Sequence, residues 1–194
     1  MTVHEEILEE SRAKRLRAAS TALHEQVDAA VMAAAPFADL GNYARFLRFQ
    51  YRLHRQVAPL YAAPFLQPIL PGLAERERLS AVERDFADLG VPLPELAHEI
   101  PILPTPEALG WLYVVEGSNM GAAFLLKAAS RIDLSEAFGA RHLAAHGEGR
   151  GLHWRRFTQA LDAISLTPIE DLRAEAAAVG AFGYVLNLVR DELA

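Results

Sequence analysis

A histidine flanked at helical spacing by a small residue and a carboxylate has the local chemistry of a metal ligand. Leu23-His24-Glu25-Gln26-Val27-Asp28 carries one. Leu16, Ser20, His24, Val27 and Val31 recur at spacings of three and four, which places His24 in the inward stripe of a helix. Ser20, one turn before, leaves room beside the ring. Asp28, one turn after, can accept the proton of the second ring nitrogen, fixing the tautomer and strengthening the first nitrogen as a donor to iron. Taken alone, an inward histidine is more often a satisfied core residue than a ligand.

The second chemical feature is Gly117-Ser118-Asn119-Met120-Gly121, set inside an otherwise apolar helical segment at 107–129. Each glycine in a helix interior costs about 1 kcal/mol relative to alanine. A spacing of four puts both bare Cα atoms on one face. Two explanations fit: close helix–helix packing through small residues, or a flat, bulky object lying against the backbone. A bend in the helix is a further consequence that such a pair allows. An inward histidine on one helix and a glycine face on another, with no other metal-ligand cluster, suggest a haem sandwiched between two helices.

At this point the chain resembles the bacterial haem oxygenases. The resemblance runs through Leu16-Arg17 and Leu23-His24-Glu25-Gln26-Val27-Asp28, then Tyr43-Ala44-Arg45-Phe46-Leu47. It continues in Leu109-Gly110-Trp111-Leu112-Tyr113-Val114-Val115-Glu116-Gly117-Ser118-Asn119-Met120-Gly121, and ends in Gly151-Leu152-His153-Trp154-Arg155-Arg156-Phe157. The histidine motif alone is weak; the blocks in this order span nearly the whole chain and are specific.

The resemblance implies one all-α domain over residues 1–194, a helical bundle with haem between the first helix and a kinked distal helix. It implies cleavage of haem b, both cofactor and substrate, to biliverdin, iron and carbon monoxide, using O2 and an external electron donor such as ferredoxin or ascorbate. It makes His24 the axial iron ligand. It places Gly117 and Gly121 over the distal side, where backbone rather than a strong acid–base side chain steers bound oxygen toward the porphyrin edge. By the same resemblance, Gln50, His54 and Arg78 anchor a chain of ordered water that delivers protons. Gln50 and His54 lie one turn apart, so both can face one cavity. Arg17, Tyr113, Ser118 and Lys127 are the implied propionate contacts, Arg17 lying two turns before His24 on nearly the same face. A redox partner protein, a haem-delivery protein and a bacterial phytochrome accepting biliverdin are the implied partners. Iron retrieval and chromophore supply share this chemistry, and the chain does not distinguish them.

Composition agrees with a compact domain: 194 residues, 52% apolar, enough for one sizeable core. The net charge of −6 argues against broad nucleic-acid binding. With no cysteine there is no disulfide, thiolate-ligated haem or iron–sulfur centre on this chain. The charged start lacks the apolar core of a secretion signal, and the apolar stretch at 109–126 carries Glu116, Ser118 and Asn119 near its middle, so it reads as a buried helix. The expected location is the cytoplasm, with no membrane partner.

The elements that must position these residues are helices throughout. The first is expected over 4–35, stopped by Pro36, with a break near Ser11; others are expected at 40–61, 73–89, 107–129, 151–164 and from Thr167-Pro168 to near Leu193. Residues 64–71 read as a connector, 91–104 as an irregular proline-rich crossing, and 135–140 as one or two turns. No segment alternates as a strand does.

Other features have plainer readings. Trp111, Phe124 and Leu125 are expected in the core. His142, His146 and His153 are read as loop and surface residues, with His153 and Trp154 packing the start of a helix, because Gly147, Gly149 and Gly151 break any common helix. The basic run from Arg12 to Arg17 is expected to flank the haem edge or meet an acidic electron donor such as ferredoxin. Two alternatives remain. A non-catalytic haem carrier or sensor would need His24 but not the glycines. A thiaminase-like hydrolase would lack its usual cysteine nucleophile.

Overall fold

The computed structural model describes residues 11–95 and 102–193. Among them are six α-helices: α1 (Arg12–Ala33), α2 (Leu40–Ala62), α3 (Leu79–Leu89), α4 (Thr105–Ala129), α5 (Arg150–Ala163) and α6 (Pro168–Leu193). No strand occurs among these residues; two isolated bridges from Ser135 to Phe138 and Gly139 close the turn expected there.

Local chemistry accounts for most boundaries. Ser11 caps α1, its hydroxyl accepting from the Lys14 amide, so the expected break near Ser11 is the helix start; the part of the expectation covering 4–10 lies outside the described residues. Asp39 caps α2 through the Asn42 amide at 2.8 Å. Thr167 and Glu170 form a reciprocal capping box at the head of α6. Gly90 ends α3 in the left-handed conformation, with φ of 63°.

Two expectations are corrected. The single helix over 73–89 is split into a 3-10 turn at Leu73–Arg76 and α3, because Arg76 turns inward to a buried partner and Glu77 adopts an extended backbone. The helix expected from 107 begins at Thr105, with Pro104 in the cap position and no side-chain bond there. The helical backbone of α4 continues without interruption through Gly117–Gly121. Of the crossing at 91–104, residues 96–101 lie outside the described residues, and the flanking parts are irregular.

The axle of the fold is α6. It packs along α1, α4 and α2, yet α1 and α4 barely touch one another. Its fully buried Ala174, Ala178 and Ala181 allow a close crossing with α4. The contact centres on Gly110, where an added Cβ would lie 2.3 Å from the Ala174 carbonyl oxygen. Ion pairs fasten the same helices. Arg12 and Arg15 hold Asp171 at 2.6 and 2.7 Å, and Arg173 grips Glu107 with two bonds at 2.7 and 2.9 Å. The basic run is therefore corrected in part: Arg12 is buried and Arg15 is committed to α6, leaving Lys14 and Arg17 on the surface.

Among the described residues, α6 alone is long and apolar enough to cross a membrane. Its apolar positions serve the core, from Phe182 to Leu193.

Candidate functional site

α1 and α4 both pack on α6 and touch one another only slightly, and several of the chemistry-bearing residues lie on these two helices. His24 stands on α1 with 57% of its side chain exposed. Its neighbours in the stripe, Leu16, Ser20 and Val27, are buried, so the expected inward placement holds for them and fails for His24. α6 covers one side of the ring and leaves more than half of the side chain open. The ring rests against Phe182 of α6, with centroids 5.2 Å apart. Its Nε2 lies 3.4 Å from the Asp28 carboxylate, too long for a good hydrogen bond. Asp28 is within reach of the ring, but does not lock it.

The facing surface of α4 is unusually open. An added Cβ at Gly121 would meet nothing within 4 Å, and at Gly117 only the Trp154 ring at 3.5 Å, an ordinary contact. Helix packing therefore explains Gly110, not these two glycines. Met120 is 42% and Phe124 79% exposed. Phe124 thus departs from the core placement expected of it, while Trp111 and Leu125 are half-buried against the core. An imidazole on one wall, naked backbone and apolar side chains on the other, and an aromatic floor fit a flat, apolar, iron-bearing ring.

Of the expected propionate contacts, Arg17 of α1 lies near enough to Tyr113 of α4 for its charge to oppose the burial that raises the Tyr113 phenol. Ser118 and Lys127 are exposed on α4, and the Ser118 hydroxyl donates to the Val115 carbonyl at 2.7 Å.

Behind α4 lies a polar cluster. His54 on α2 is buried, and its Nδ1 has no protein partner. Burial, with His142 and Arg78 nearby, holds its pKa down to about 3. Arg78, half-buried at the head of α3, also acts electrostatically on Tyr61, Glu116 and His153. Gln50 is half-buried one turn before His54.

Several members of this cluster have no local signature. Glu116, almost fully buried, accepts from Tyr61 Oη and from Arg76 Nη1, each at 2.7 Å. Arg76 also donates to the His153 carbonyl at 2.9 Å and lies over Phe157. His142 is corrected from loop surface to interior: Asp85 accepts from its ring Nδ1 at 2.7 Å and from its backbone amide at 3.0 Å. His153 is buried and stacks on half-buried His146, with ring centroids 4.1 Å apart. Besides His54, Gln50 and Arg78, which the family resemblance singles out, a carboxylate inside the most apolar helix is the sequence signal for this network. Tyr61 and Arg76, the partners of Glu116, and Asp85, the partner of His142, are distant in sequence and carry none.

The cluster has a consequence for stability. Burial holds His153 at about 4 and His54 at about 3, against about 6.5 in an unfolded chain. Below pH 6.5 the unfolded state binds protons that the folded state refuses, so folding stability falls as pH drops through that window. The unfolding temperature of the apoprotein should decline steadily from pH 7 to pH 4.5, and His54→Leu should flatten the decline. An unchanged slope would show that His54 charges as readily folded as unfolded.

Comparison with known proteins gives a consistent picture. A family model described as Heme oxygenase matches residues 10–191. The heme oxygenase PigA of Pseudomonas aeruginosa is 42% identical over 173 residues, covering 88% of this chain and 87% of that protein. A crystal structure of the NO- and CO-bound heme oxygenase from Neisseria meningitidis superposes with a TM-score of 0.90 at 41% identity, covering 94% of this chain and 92% of that one.

Proposed function

This chain belongs to the heme oxygenase family and degrades haem, and from that premise we propose that it converts haem b to biliverdin, iron and carbon monoxide in the cytoplasm, acting as one domain over residues 1–194. The observation that carries this reading is the pairing of an exposed His24 with a glycine face on α4 that has open space beside Gly121. Haem, when bound, supplies both the iron that activates O2 and the ring that is cut.

The residues of the chain do the rest. His24 on α1 would hold the iron through its imidazole. Gly117 and Gly121 would present main chain to the ring, letting it approach closely with no acid–base side chain at those positions. Arg17 and Tyr113 take the propionate edge, with Ser118 and Lys127 as further contacts on α4. Arg17 suits a bidentate carboxylate contact, whereas Lys127 acts as a point charge.

Proton delivery falls to His54, Gln50 and Arg78. His54 is neutral at working pH and keeps an unpartnered Nδ1, the arrangement expected of a group that holds ordered water. Gln50 shares its helix face, and Arg78 contributes a nearby positive charge. Lys14 and Arg17 line a shallow depression on α1, a basic surface suited to an acidic electron donor such as ferredoxin.

The test is direct. Apoprotein titrated with hemin should show a saturable Soret change; ascorbate or a ferredoxin system in air should then bleach the band and release a bilin, with chromatography identifying the isomer. A complex that binds hemin and then persists under reductant would mark a carrier. Absence of any saturable change would remove the haem assignment.

A further inference from the structure

The glycine segment of α4 is gripped from behind by two arginines that come from other elements. Glu116 immediately precedes Gly117, and its carboxylate is held by Arg76 from the 3-10 turn and by Tyr61 from α2. Arg76 also reaches the His153 carbonyl on α5, joining three elements to α4 at one point. Three residues on, Arg150 at the head of α5 donates to the Asn119 carbonyl at 2.8 Å and also to the Leu143 carbonyl. Asn119 lies between Gly117 and Gly121, so the segment is fixed through a side chain at its start and a main-chain oxygen at its middle.

Stability does not explain this arrangement. A buried ion pair replaced by apolar residues of similar volume is often neutral or more stable, because two charges no longer have to be desolvated. Such a pair does have direction. Charge-assisted bonds from a planar guanidinium set position and angle, which apolar contacts leave loose. Gly117 and Gly121 cannot provide such anchoring, having no side chains, and the face they present has nothing of the chain against it at Gly121.

We propose that Arg76, through Glu116, and Arg150, through the Asn119 carbonyl, are positioning residues that hold the Gly117–Gly121 backbone at a fixed height over the haem. The proposal rests on the reading that haem lies against this face. Neither arginine touches the reacting atoms. Each acts by removing freedom from a stretch of α4 whose glycine face is open at Gly121.

The decisive variants are the double substitution Glu116→Leu with Arg76→Met, and the single substitution Arg150→Met. In the apoprotein, amide hydrogen exchange over 117–121 should speed up by about tenfold or more in both, as local opening becomes easier. The unfolding temperature of the double variant should fall by no more than about 10 °C, the cost of leaving the buried Tyr61 hydroxyl without its acceptor. With hemin bound, affinity should change by less than about threefold while kcat falls by about tenfold or more, since small displacements of a positioning surface cost rate before binding. Wild-type exchange rates together with wild-type kcat would overturn the proposal. If the double variant does not fold, Arg150→Met decides by the same measurements, because it removes a half-buried side chain and leaves the Glu116 pair intact. If wild type itself takes up no hemin, the functional reading fails, and apoprotein exchange still decides whether the clamp exists.

Discussion

Replacing His24 with alanine is expected to lower haem affinity and turnover by more than about 100-fold, since loss even of an outer partner of a metal ligand typically costs 10–100-fold. The same substitution should leave the apoprotein nearly as stable as before. His24 is more exposed than buried and makes no strong hydrogen bond, and surface substitutions of that kind typically stay within about 0.5 kcal/mol. This combination separates a ligand from a core histidine: a core residue would be missed by the fold, a ligand by the chemistry. Hemin titration and thermal unfolding of the apoprotein measure the two effects independently. Unchanged turnover, or a collapsed apoprotein, would remove His24 from the iron. Free imidazole should restore part of the Soret signal in the variant, because the site it leaves is open to solvent.

Gly121 offers the second large effect, and it carries opposite signs for the two states of the protein. Gly121→Ala should stabilise the apoprotein by about 0.5–1 kcal/mol, because alanine has the lower backbone entropy cost and the added methyl meets nothing. Gly121→Leu should reduce turnover by about 100-fold, because a side chain standing where a flat ring must lie misplaces it by an ångström or more. Gly110 is the control. Its Cβ would collide with the main chain of α6, so Gly110→Ala should destabilise the apoprotein by about 1–3 kcal/mol. Thermal unfolding of the three apoproteins, followed by single-turnover assays with bound hemin, tests the whole set. A destabilised Gly121→Ala apoprotein would mean that this glycine serves packing after all.

The contrast between Gly110 and Gly121 shows how differently two identical residues on one helix are used. In sequence they look alike, and close packing explained the Gly117–Gly121 pair as well as a ligand did. Space decides the matter: Gly110 lies against the Ala174–Ala178 stretch of α6, whereas Gly121 has open space beside it. α1 and α4 pack chiefly against α6 and are fastened there by ion pairs such as Arg12–Asp171 and Arg173–Glu107.

What the amino-acid order determined by itself is local. Helical periodicity, the break near Ser11, the stop before Pro36 and the start at Thr167-Pro168 set out an all-helical chain, with most boundaries among the described residues within a few residues of those observed. These depend on interactions within a turn or two, so neighbouring residues suffice to specify them. The order of motifs also placed a histidine on one helix and a glycine pair on another. Only the tertiary structure decided that His24 faces open space, that Phe124 is left uncovered, that Arg12 is buried, and that Glu116, Tyr61 and Arg76 form one network. Each of those outcomes depends on which helices are pressed together and which are held apart. The physical reason is one of range. Burial and ion pairing are properties of groups dozens of residues apart, fixed by the sum of packing over the whole core, and no local pattern encodes them.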